Sequence, residues 1–159
     1  MDETVIREQL VDLLTKEQAH VGARSAFDGL APENRVRRPH EGGHSPWELL
    51  EHLRLAQEDI VRYTLDPAWA SPPWPEGYWP ATGTTPDDEQ WKGALNGFLA
   101  GLDEAVALAR DRTVDLTARI PHGEHRTYLR QILLVADHNA YHLGQVVEAR
   151  KAFGDWPTE

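Results

Sequence analysis

The stretch DHNAYHLGQ places His138 and His142 four residues apart. On a helix this spacing sets two imidazoles on one face about one turn apart, where they can share a metal ion. An H-x-x-x-H pair alone is common, so its weight depends on the residues around it. With Leu129 as origin and about 100° per residue, Leu133, Ala136, Ala140 and Val147 fall within about 40° of one line, and His138 and His142 lie at about 180° and about 220°. The histidine side also carries Leu134, Val135 and Val146. The helix is therefore expected to be buried on both sides, by its own bundle or by a partner subunit. Two buried imidazoles must be hydrogen-bonded or ligated, because an unsatisfied buried polar group costs about 1–3 kcal/mol.

A third ligand is expected from another helix. His52, in WELLEHLRLAQ, flanks Leu49 and Ala56 at the edge of an apolar stripe, from which a side chain can turn into a bundle interior. Three neutral histidines with an open coordination position form a reactive metal site, whereas structural zinc is closed by four protein ligands. Asn139 stands where a zinc-protease helix H-E-x-x-H carries its general base, which argues against a protease. Carboxylate-bridged di-metal bundles need Glu-x-x-His on two helices, and neither His138 nor His142 follows a glutamate at that spacing. Glu48 is accounted for by helix capping. Asp59, two turns beyond His52, is a candidate for contact with the site or a bound water, and Tyr141 and Gln145 are candidates to line a pocket. His40, His44, His122 and His125 read as solvated loop residues, and His20 carries no assignment.

Four helical blocks must position these groups. The first, from about Asp2 to Phe27, carries Val5, Ile6, Leu10, Leu13 and Leu14 at amphipathic spacing. The second opens with the capping sequence Ser45-Pro46-Trp47-Glu48, buries Leu49, Leu53, Ala56 and Ile60, and ends at Asp66-Pro67. The third is expected to be capped by Thr85 ahead of Pro86, with Asp87 and Asp88 at the positive end of the helix dipole. The fourth runs from near Thr127 to Gly154. No segment has strand periodicity long enough for a sheet. The expectation is an all-α four-helix bundle forming a single domain over residues 1–159. Residues 66–86, DPAWASPPWPEGYWPATGTTP, form an unusual connector holding Trp69, Trp74, Tyr78 and Trp79. Its aromatic content predicts an ordered strap that covers one end of the bundle and could wall a pocket.

Composition excludes several functions. With no cysteine among 159 residues, the chain supplies no disulfide, thiolate metal site or catalytic thiol. A net charge of −10, from 16 Lys+Arg and 26 Asp+Glu, opposes the phosphate neutralisation that dominates nucleic-acid binding. No apolar run approaches the ~18–20 residues of a membrane helix. MDETVIREQL is acidic and polar, unlike a signal peptide, so a soluble cytoplasmic protein is expected.

The runs GHSPWELLEHLRLAQ, PEGYWP and RTYLRQILLVADHNAYHLGQVVEARKAFG together resemble the DinB superfamily, whose relatives include YfiT-like metal-dependent hydrolases and low-molecular-weight-thiol transferases. The resemblance implies an up-down-down-up four-helix bundle, a homodimer, and one divalent metal held by His52, His138 and His142. Zinc or nickel is favoured, with iron or manganese also suited to the site. It implies a small-molecule substrate and either transfer of a bacillithiol-, mycothiol- or glutathione-type thiol, which would itself be a cofactor, or metal-dependent hydrolysis. The catalytic residues are left unassigned. The alternative is a non-catalytic dimeric stress protein that binds a metal or small ligand.

Overall fold

The structure is a computed structural model that describes residues 3–121 and 123–157, so Asp2 and His122 lie outside the described residues. Five helices are present among them: α1 (Glu3–Thr15), α2 (Ala23–Phe27), α3 (Pro46–Leu65), α4 (Asp88–Arg110) and α5 (Tyr128–Phe153). The described residues form no β-strand, only an isolated bridge between Arg119 and Thr127.

Helix boundaries follow local chemistry. Ser45 caps α3 by accepting the Glu48 amide while the Glu48 carboxylate accepts the Ser45 amide, and Pro46 occupies the first turn. α5 starts at Thr127, whose hydroxyl accepts the Arg130 amide, and stops at Gly154, whose φ of 72° suits a residue without a Cβ. The third block begins later than expected. Asp87, not Thr85, caps α4, because Asp87 and Gln90 exchange side-chain and backbone bonds at 2.8 and 2.9 Å. The first block is two helices, not one. Residues 16–20 offer no apolar face to pack and stand exposed, and Gly22 is extended, with its amide bound to the Glu17 carboxylate at 2.9 Å.

The four long helices form an up-down-down-up bundle. Arg7 of α1 reaches the Ala109 carbonyl of α4, while Leu13 and Leu14 face Leu99 and Leu102, so α1 and α4 are antiparallel. Gln57 binds the Phe98 carbonyl and Arg62 pairs with Glu104, so α3 and α4 run parallel. His52 meets His138 and Thr64 meets Gln131, which makes α3 and α5 antiparallel. Because α3 and α4 run the same way, the chain must travel the length of the bundle between them. The long connector makes that return.

The main core joins Phe27, Trp47, Leu50, Leu53, Trp91 and Phe98 with Leu143 and Val146 of α5. The face of α5 that packs differs from the stripe expected from hydrophobicity. Ile132, Val135, Asn139, Leu143, Val146 and Ala149 are buried, whereas Leu133 is 43% exposed. The polar residues of the inner face are paired across to α3. The Asn139 amide donates to Gln57 Oε1 at 2.8 Å, and that of Gln131 donates to Thr64 Oγ1 at 3.2 Å. A hydrophobic wheel cannot detect buried positions of that kind.

Candidate metal centre

α3 and α5 cross where His52, His138 and His142 come together, each offering a ring nitrogen within 4.8 Å of the others. His52 and His142 are buried and His138 is half-buried. No other group of three or more His, Asp or Glu side chains with this geometry occurs among the described residues.

Neighbouring acceptors orient two of the rings. His52 Nδ1 donates to the Tyr78 carbonyl at 2.8 Å, and a carbonyl can only accept, so the proton of neutral His52 is on Nδ1 and its Nε2 presents a lone pair. His142 Nδ1 faces Gln145 Oε1 at 3.0 Å, which likewise leaves Nε2 as the free lone pair. His138 Nε2 lies 3.1 Å from His52 Nε2. His138 Nδ1 is buried with no partner.

Burial is the first cause that pushes the pKa of all three imidazoles below the ordinary histidine value. For His138 it is reinforced by His142 and His52 and carries the pKa down to about 4. For His142 the bond to Gln145 opposes the fall, and for His52 the bond to the Tyr78 carbonyl does so. At neutral pH the cluster is therefore uncharged and rich in lone pairs, with most of its protons directed outward. Such a donor set fits a divalent cation, which supplies the positive charge that burial denies to protons.

The connector completes the site. Trp79 stacks on His52 with ring centroids 4.0 Å apart and planes 3° apart, and its other stacking partner is His44, at 4.2 Å. The strap thus runs against α3 and walls the histidine cluster. His44 is half-buried against Trp79 instead of being a solvated loop residue. His20, His40 and His125 are exposed. Asp59 does not face the histidines; its two oxygens accept Trp69 Nε1 at 2.8 Å and the Tyr78 hydroxyl at 2.7 Å. Burial, then the bond to Asp59, push the Tyr78 phenol up to about 12. Glu48 is occupied by the α3 cap and by Arg38. Tyr141 is 66% exposed and meets His142 edge to face. A cleft of about 440 Å³ is lined by His44 and Gln145, which neighbour the cluster, together with Leu49 and Ala149; none of the three clustered histidines is among its lining residues. The roles of Tyr78 and Trp79 were not readable residue by residue. The density of rings in the connector, and the place of PEGYWP among the runs that carry the resemblance, were their sequence signals.

No helix among the described residues is long and apolar enough to cross a membrane. No curated protein and no solved structure gives a significant match to the chain. A family model does match: that of the DinB superfamily, over residues 9–146, a span that includes α3, the connector and all three clustered histidines. With the helical bundle and the histidine cluster at the α3–α5 crossing, that match shows that the chain belongs to the DinB superfamily.

Proposed function

We propose that the protein is a divalent-metal-dependent enzyme in which His52, His138 and His142 hold one metal ion, with zinc or nickel favoured. Its reaction is transfer of a low-molecular-weight thiol of the bacillithiol, mycothiol or glutathione type to an electrophilic small molecule. The observation that carries the reading is the convergence of three neutral imidazoles, two of them oriented through Nδ1. When bound, the metal supplies a Lewis acid that holds a sulfur ligand as thiolate at neutral pH. Three protein donors leave room for such an external ligand. The chain has no cysteine, so the sulfur must arrive with a cofactor. The cleft beside His44 and Gln145 offers the space. In the transfer a sulfur–carbon bond forms as the electrophilic carbon's bond to its leaving group breaks; the leaving group departs with that electron pair, and the thiol proton passes to solvent.

Hydrolysis is the less favoured reaction because Glu48 and Asp59, the two α3 carboxylates that are candidates for a base at the site, are both engaged elsewhere. The reading includes a homodimer, supported by exposed Leu133 and Tyr141 on the outer face of α5. It also includes a cytoplasmic location, where low-molecular-weight thiols are abundant.

Elemental analysis of protein purified without chelators is expected to find about one divalent metal per chain. The double variant His138→Ala/His142→Ala is expected to hold none while keeping its helical circular dichroism. Loaded protein is then assayed with each thiol class and a panel of electrophiles. Absence of any metal from the unsubstituted chain overturns the reading. Turnover without thiol consumption assigns hydrolysis instead, and tight metal binding with no turnover assigns a metal-holding protein.

A further inference from the structure

Asp59 lies outside the histidine cluster, yet both its oxygens are engaged by the connector. It sits on the same helix as His52, seven residues on, so the two side chains share a face of α3 about two turns apart. The strap returns along that face and touches both. Trp69 Nε1 and the Tyr78 hydroxyl donate to Asp59, while the Tyr78 carbonyl accepts from His52 Nδ1 and the next residue, Trp79, stacks flat on the His52 ring. Tyr78 therefore spans the two groups, with its side chain fixed at one and its backbone at the other. Beyond the short 3₁₀ turn Glu76–Tyr78, residues 66–87 form no regular helix or strand, so side-chain anchors must set where the strap lies.

We propose that Asp59 is a positioning residue of the metal site: by anchoring Trp69 and Tyr78 it holds the strap in the place where the Tyr78 carbonyl and the Trp79 ring orient His52 Nε2 toward His138 and His142. The proposal rests on the metal reading for its consequence, but the orientation of His52 can be measured without a metal. Partners of this kind, one step removed from a ligand, change metal affinity by about 10–100-fold when removed.

The test compares Asp59→Ala, which deletes both acceptors, with Asp59→Asn, which can still accept from Trp69 and donate its amide to the Tyr78 hydroxyl oxygen. Zinc affinity is measured by competition with a chromophoric chelator. Asp59→Ala is expected to bind zinc about 10–100-fold more weakly, and Asp59→Asn within a few fold of the unsubstituted chain. In a His52→Ala background, Asp59→Ala is expected to cause no further loss, because the residue through which it acts is gone. Ring ¹⁵N spectra of the metal-free chain give a second readout. His52 is expected as the Nδ1–H tautomer in the unsubstituted chain and as a mixture in Asp59→Ala. Unchanged zinc affinity in Asp59→Ala, or an equal loss in the His52→Ala background, overturns the proposal. If the unsubstituted chain binds no zinc or other divalent metal, the proposed function falls. The ring spectra still decide the positioning role, which is refuted if the His52 tautomer is the same with and without Asp59.

Discussion

His138 is the residue whose protonation the fold resists most, with a pKa held at about 4 by burial and by its two histidine neighbours. In the unfolded chain an exposed histidine titrates near about 6.5, so between those values the unfolded state binds more protons than the folded one. Stability of the metal-free protein is therefore full above about pH 6.5 and is lost as the pH falls toward 4; lowered pKa values at His52 and His142 add to the same trend. Thermal unfolding in chelator across pH 4–8 is expected to show a falling melting temperature on the acid side, with a shallower slope in His138→Gln. A slope unchanged by that substitution would contradict the assignment. Spacing alone was enough to pick out His138 and His142 as a pair. It could not reveal that Gln145 and the Tyr78 carbonyl fix which nitrogen each neighbouring ring presents, because those partners are chosen by three-dimensional contact.

At the level of elements, the strap matters as much as the helices. Its bend brings Gly77 against Pro72 so closely that a Cβ at Gly77 would collide with the Pro72 side chain, and would also crowd Pro73 at 3.1 Å. The Gly77→Ala variant must shift the strap at this bend and is expected to displace Tyr78 and Trp79 from His52. Its helical circular dichroism is expected to be unchanged, while its metal affinity drops about tenfold or more in chelator competition. The starts of α3 and α5 were legible because their capping residues are short-range chemistry. Asp87 displaced Thr85 as the α4 cap for a reason of the same range, a reciprocal bond with Gln90. The break after α1 was hidden because residues 16–22 contain no proline; the helix ends where residues 16–20 stand exposed without an apolar face to pack and Gly22 turns extended.

For the whole molecule, a metal held as proposed between α3 and α5 would join antiparallel helices that are otherwise held by side-chain packing and a few buried polar bonds. A ligand that binds only the folded state at about 100 times its Kd adds about 2.7 kcal/mol. For a chain of this length that corresponds to a rise of about 5–10 °C in melting temperature. Adding zinc or nickel to chelated protein is expected to give such a shift, reversed by excess chelator and absent in His138→Ala/His142→Ala. Sedimentation analysis is expected to find a dimer that Leu133→Glu converts to monomer, since Leu133 lies on the outer face of α5 with 43% of its surface exposed.

Read alone, the sequence determined the all-helical class, the capped starts of α3 and α5, and the three histidine positions worth following, because helix periodicity, capping and ligand spacing are local properties. It also determined that any thiol chemistry must use an outside sulfur, since the chain has no cysteine. The tertiary structure decided which face of α5 is buried, since Gln131 and Asn139 are made internal by partners on α3. It also decided that Asp59 accepts from Trp69 and Tyr78 of the strap and that Trp79 lies flat on His52. Those outcomes depend on how a connector without regular structure returns across α3, and contacts between residues distant along the chain have no periodic signature.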